Sequence, residues 1–212
     1  MDERIDLKTI QEIIRVSKKM EELKLVNTFE GNLSILKDGL LYITPARTRK
    51  SVLTEDVIAV FDENDNQIHG TKRASSEKNM HLGAYTVRDD IKAAIHCHPP
   101  YLTAHAMCYV PIDYKCHPEI LFHFKDIPVA AYGKPGTNEI VDNAKPFLKN
   151  RNVVLLANHG VLAVGSTLEK AFARIESAEK FAQIINISKN IGPLVDLPQA
   201  EIERFLAVPI ET

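Results

Sequence analysis

The stretch NVVLLANHGVLAVG, residues 152–165, constrains the fold more than any other. Two apolar runs are broken only by Asn158, His159 and Gly160, which predicts two neighbouring strands joined as a hairpin. Just after it, Leu168, Phe172, Ile175, Ala178, Phe181, Ala182 and Ile185 recur along one side of a helix that runs to about residue 188. Ser166 with Glu169 has the pattern of a capping box at the start of that helix.

The rest of the chain follows the same logic. Residues 6 to about 24 predict an amphipathic helix through Ile10, Ile13, Ile14, Ser17, Met20 and Leu23. NTFEGNLSILKDGLLYIT reads as two short strands around Asp38-Gly39, a pair suited to positive φ. IAVFDENDNQIHG adds a strand and an exposed turn. Ser75, Ser76 and Glu77 open a helix to about Arg88, with Met80, Ala84 and Val87 facing inward. IKAAIHCH is an apolar strand, ended by Pro99 and Pro100, which cannot donate to a ladder. A helix over 101–109, a short strand in DIPVAAY, a helix near 138–149 containing Pro146, and a short QAEIERFL helix complete the set. The sum is an α/β chain with four or five helices around one sheet of short strands. We expect a single domain over 1–212, its core at about 6–188, with the tail, 189–212, a candidate to close the active site.

Composition excludes several function classes. The net charge is -2, and the 26 Lys and Arg residues are spread among 28 acids, so no nucleic-acid partner is expected. Cys97, Cys108 and Cys116 are odd in number and have no CxxC spacing, which argues for a reducing compartment. The polar, acidic start MDERIDLKTI lacks the regions of a signal peptide, and no apolar run reaches membrane-spanning length. A cytoplasmic protein without a membrane partner is the expectation. No GxGxxG or GxxxxGK supports nucleotide binding.

His96 and His98 carry the chemistry. Residues two apart on a strand share a face, so both imidazoles can reach one divalent ion. An isolated HxH is also compatible with cross-strand or surface histidines. His159, beside Gly160, offers a third ligand, although a turn histidine bonded to a carbonyl would look the same. Three histidines would leave a coordination position open, as catalysis requires. Glu77 is the candidate carboxylate, either a general base beside the ion or a displaceable fourth ligand. A first-turn glutamate favoured by the helix dipole is its plainer reading.

The ordered motifs EGNLS, YITP, SSE, HCH, PGT and NHG resemble the class II aldolase and adducin head-domain family. The resemblance runs from about residue 10 to 185. It implies a three-layer fold, a central mostly antiparallel sheet with helices on both faces. It implies that His96, His98, His159 and Glu77 hold one divalent cation per subunit, usually zinc, with manganese, cobalt or iron(II) as alternatives. It also implies a phosphate pocket from Gly31, Asn32, Ser34, Ser75 and Ser76, and a homotetramer with active sites between subunits.

The chain departs from that pattern after ITP, where the family usually carries Ser or Thr and then Gly. Ala46 and Arg47 stand there, so a hydroxyl donor is lost and a cation gained; Arg47, Arg49 or Lys50 is available to a phosphate. A catalytic tyrosine from the neighbouring subunit is expected in YVPIDYKCHPEILFHF, with Tyr114 as candidate beside Tyr109 and His117, and Glu119 as a residue of the subunit junction. The implied activity is metal-dependent cleavage of a ketose 1-phosphate, of the L-fuculose 1-phosphate type, to dihydroxyacetone phosphate and a small aldehyde. Epimerisation or dehydration of a related sugar phosphate at the same ion is the alternative. An adducin-like interaction domain would lack the three histidines, and a purely structural metal would need a closed four-ligand site.

Overall fold

The computed structural model describes residues 2–210. Eight strands form one sheet: β1 (Asn32–Lys37), β2 (Leu40–Ile43), β3 (Ala59–Phe61), β4 (Gln67–His69), β5 (Ala93–Cys97), β6 (Val129–Ala130), β7 (Val153–Leu156) and β8 (Gly160–Gly165). Their order is β4-β3-β2-β1-β5-β8-β7-β6. Every pair is antiparallel except β6 with β7. The β1–β2 turn has both central residues at positive φ, Asp38 at 51° and Gly39 at 78°, the geometry that matches strand twist in a two-residue hairpin.

Seven α-helices surround the sheet: α1 (Leu7–Glu22), α2 (Lys78–Tyr85), α3 (Pro100–Met107), α4 (Pro118–His123), α5 (Glu139–Leu148), α6 (Leu168–Lys189) and α7 (Gln199–Ala207). The sequence predicted all but α4, whose six residues are too few to show a period. α1, α3 and α6 cover one face of the sheet, where Ile10, Ile13, Leu33, Ile95, Val161, Phe172 and Ile175 share a core. α2 and α5 cover the other, where Met80, Ala84, Ala94, Ile140, Val141, Leu162 and Val164 pack. The three-layer expectation therefore holds. Among the described residues no helix is long and apolar enough to cross a membrane, and the three cysteines are free.

Two helix starts differ from expectation. Thr167, not Ser166, caps α6: its extended backbone lets Oγ1 accept from the Lys170 N–H at 3.2 Å. Glu169 does not close a capping box but lies 3.2 Å from Arg15 on α1. α2 begins at Lys78 and ends at Tyr85, so Ser75, Ser76 and Glu77 precede it. The Ser75 hydroxyl accepts from the Glu77 N–H at 3.2 Å and fixes that approach.

The tail turns away from the strand end that carries His159. Its α7 packs on α4, and residues 206–210 share a pocket with Arg88, Arg151 and Asn152, at the N-terminal end of β7.

Candidate metal centre and anion cleft

Strand alternation sets the first ligand. Ala93, Ile95 and Cys97 of β5 join the core under α1 and α6, while Ala94 joins the core under α2 and α5. His96 shares the face of Ala94 by the period of two, directly opposite Asn32 of β1. His98 lies one residue beyond the strand, and its Nε2 is 2.9 Å from Nε2 of His96. His159 closes the β7–β8 turn, bringing nitrogens of the three rings within 4.8 Å of one another.

The local backbone explains the NHG stretch differently from the sequence. The left-handed residue is Asn158, at φ 54°, rather than Gly160. Gly160 is required by contact: a Cβ there would stand 2.3 Å from Cδ2 of His98 and 2.5 Å from the Cys97 carbonyl oxygen. Its missing side chain is the space that His98 occupies.

The protonation pattern fits a divalent cation. Nδ1 of His96 lies 2.9 Å from the Val161 carbonyl oxygen, which can only accept, so Nδ1 carries the proton and Nε2 presents a lone pair. Burial, reinforced by the His98 and His159 rings, holds His96 well below the ordinary histidine value and keeps it neutral. Burial also lowers His159, partly opposed by the Glu77 carboxylate. Nδ1 of His159 is buried without a hydrogen-bond partner. His96, neutral and with its Nε2 turned toward the other two rings, and His159, shifted the same way, belong to the imidazole set that Zn²⁺ and similar ions take, at about 2.0–2.1 Å per nitrogen.

Glu77 faces this cluster. Its carboxylate oxygens are 3.5 Å from Nε2 of His96 and 3.4 Å from Nε2 of His159. The Asn32 amide donates to Glu77 Oε2 at 2.7 Å. Behind Asn32 lies a buried chain of bonds: Asn32 Oδ1 to His81 Nε2, His81 Nδ1 to the Ser34 hydroxyl at 2.6 Å, and Ser34 to the Tyr85 hydroxyl. Burial pushes His81 down to about 3, with His96 adding to the shift, so the ring is neutral. Burial likewise raises Tyr85, which stays protonated. With Asn32 donating to a carboxylate, its carbonyl must accept from His81 Nε2–H. Nδ1 then accepts from Ser34, whose oxygen accepts from Tyr85. One ordering of protons satisfies every member.

Beside Glu77 opens a cleft of about 440 Å³. Gly31, Asn32, Arg47, Ser75, Ser76, Glu77 and His98 line it, as do Lys50 and Arg73. Ser34 does not. It is fully buried and its hydroxyl is committed to His81 and Tyr85, which corrects its expected place in the phosphate pocket. Arg49 turns outward to Glu21 at 2.6 Å. Arg47 stands at φ 49°, a left-handed conformation that glycine adopts without cost.

Tyr114 is also outside the cleft of its own chain, and its hydroxyl accepts from the Lys189 ammonium on α6. Tyr109 stands nearer the ligands, its hydroxyl accepting from Asn158 Nδ2 at 2.8 Å. Among the described residues, none from 189 onward lines the cleft. Sequence reasoning did not connect His81 and Tyr85 to Asn32 and Ser34. The signal was present: Asn32 and Ser34 are polar residues on one face of an apolar strand, and His81 and Tyr85 are four apart on α2.

Comparison with known proteins agrees with this geometry. Residues 11–185 match the family model described as Class II Aldolase and Adducin N-terminal domain. The chain is 32% identical to a 5-deoxy-D-ribulose 1-phosphate aldolase of Bacillus thuringiensis, over 92% of each chain. It is 31% identical to an L-fuculose phosphate aldolase of Methanococcus maripaludis, over 86% of this chain and 98% of the other. Among solved structures, an L-fuculose 1-phosphate aldolase superposes with a TM-score of 0.87 at 38% identity, covering 95% of this chain and 96% of that one.

Proposed function

The chain belongs to the class II aldolase and adducin N-terminal domain family, and from that premise we propose that it cleaves a ketose 1-phosphate of the L-fuculose 1-phosphate type to dihydroxyacetone phosphate and a small aldehyde. The observation that carries this reading is the placement of Glu77, between the three imidazoles and the donor-lined cleft. His96, His98 and His159, with Glu77 as a displaceable fourth, would hold one divalent cation per subunit, zinc by preference and manganese, cobalt or iron(II) in its place. Such an ion polarises a carbonyl and takes up negative charge that develops beside it.

The chain's own residues do the rest. Gly31, Asn32, Ser75, Ser76 and Arg47 seat the phosphate in the cleft beside Glu77. That fixes the reacting carbons against Glu77, whose carboxyl group gives and takes the proton at the carbon released by cleavage. Asn32 holds the carboxylate in line while His81 holds Asn32. The oxygen that becomes the aldehyde must lose its proton in the same direction of reaction, a role we assign to Tyr114 of a neighbouring subunit. That assignment calls for a cyclic homotetramer, which we propose with it, and Phe29, 79% exposed at the rim of the cleft, is apolar surface suited to such a contact. A cytoplasmic location completes the reading.

The test is turnover of L-fuculose, L-rhamnulose, L-ribulose and 5-deoxyribulose 1-phosphates by metal-reconstituted protein, following release of dihydroxyacetone phosphate. Release that Glu77→Gln abolishes is the expected result. No release from any of them, in protein shown to hold its ion, shifts the assignment to epimerisation or dehydration at the same centre.

A further inference from the structure

Lys50 is 2% exposed, the most buried Lys or Arg among the described residues. It opens a short 3-10 turn, Lys50–Val52, that packs on α1. Its Nζ donates to the Thr48 carbonyl at 3.3 Å, and no carboxylate of the described residues lies within 4 Å of it. Glu21 is the neighbouring acid, but its two oxygens are engaged by Arg49 at 2.6 Å and by the Ser51 N–H at 2.7 Å. An ammonium has three donors, and here one is used, at long range. A buried cation left in this state is unfavourable unless an anion completes it.

The cleft is where that anion would enter. Lys50 lines it, together with Arg47 and Arg73, neither of which makes a side-chain ion pair among the described residues. Two connections are laced together to place the three cations. Ala46 N–H donates to the Arg73 carbonyl at 2.9 Å, Ser75 N–H donates to the Thr44 carbonyl at 3.2 Å, and Pro45 and Ala74 form a β-bridge. The acids of the cleft, Glu30 and Glu77, both lie against its histidines. The cleft is thus polar in the electrical sense, cationic at one end and metal-ligating at the other.

We propose that Lys50 decides which anions this cleft accepts: with Arg47 and Arg73 it anchors a dianionic phosphate, in place of the hydroxyl donor absent at Ala46. The choice of phosphate rests on the sugar-phosphate reading above; the placement of the cations does not. Three positive charges around a partly desolvated seat favour a dianion over a carboxylate of similar size.

Calorimetric titration of inorganic phosphate and of acetate into zinc-loaded and chelator-treated protein tests this, with Lys50→Met and Lys50→Gln alongside. Phosphate should bind both forms of the unsubstituted chain and more tightly than acetate. Both substitutions should weaken phosphate by about tenfold or more, with zinc affinity unchanged. A second measurement needs no variant: phosphate should protect Lys50 from acetic anhydride, mapped by mass spectrometry. Absent phosphate binding, equal affinity in Lys50→Met, a preference for acetate, or labelling indifferent to phosphate would each overturn the proposal. Failure of the aldolase reading looks different, as intact phosphate binding without release of dihydroxyacetone phosphate.

Discussion

The ring of His81 holds the side chain of Asn32 in one orientation, so that the amide nitrogen points to Glu77 and the amide oxygen points away. Replacing His81 by Phe would leave the buried Asn32 carbonyl without its donor and the buried Ser34 hydroxyl proton without its acceptor, Tyr85 being the only partner left to Ser34. The expected loss of stability is about 2–5 kcal/mol, from desolvated groups left without partners. Urea denaturation checks it. A loss well below that range would mean that water replaces the ring and that Asn32 is free to turn.

Gly160→Ala should act on the metal without touching a ligand. The added methyl stands where Cδ2 of His98 now sits, and the other close neighbour is backbone, so the ring must yield. Zinc affinity should fall by about 10–100-fold, as it does when a group that orients a ligand is disturbed. Competition against a chelating dye measures this, and unchanged affinity would show that His98 is not held by this contact.

Removing a ligand should separate metal from fold. The imidazoles stand at strand ends, outside both apolar cores. His159→Ala is therefore expected to lose bound zinc, from one ion per chain to none by native mass spectrometry, while its far-ultraviolet circular dichroism stays that of the parent. Loss of secondary structure with the metal would instead make the centre a folding element.

Lys50 offers a pH signature. Burial pulls its ammonium down to about 8, against an ordinary 10.5. Between those values the unfolded chain holds a proton that the folded chain has shed, so stability rises with pH across that window. The full penalty, about 3 kcal/mol, applies below it and vanishes above it. Lys50→Met should thus be the more stable chain at neutral pH, with the gap closing between about pH 8 and 10.5. A gap that ignores pH would point to packing rather than charge.

The start of α6 can be tested by a pair of substitutions. Thr167→Ala should cost about 1 kcal/mol in thermal or urea unfolding, the usual value of an N-cap side chain. Ser166→Ala, at a residue whose hydroxyl caps nothing, should stay within about 0.5 kcal/mol.

What could be read beforehand depended on range along the chain. The β7–β8 pair, the 22-residue α6 and the shared face of His96 and His98 follow from local periods of 2 and 3.6, and all three are present. Thr167 differs from Ser166 as a cap by a single residue of phase, which periodicity does not resolve. Gly160 matters because His98 approaches from another strand, and Ser34 is withdrawn from the cleft because His81 and Tyr85 reach it from α2. Lys50 reads as one of three cations available to a phosphate, and its burial shows only when the turn that carries it is seen against α1. Each of these depends on contacts between residues far apart in sequence, and no local pattern encodes them.

The lacing of residues 44–46 to 73–75 has a bearing on how such a protein can change. Histidines 96, 98 and 159 are fixed by strands whose other residues fill both cores, so their surroundings tolerate little revision. Arg47 and Arg73 ride on two connections laced to each other, with Lys50 following on the turn that packs on α1. The pair behaves as an exchangeable cassette. A lineage can rewrite what it grips at one end of the molecule's working surface while the bond-breaking machinery at the other is inherited intact.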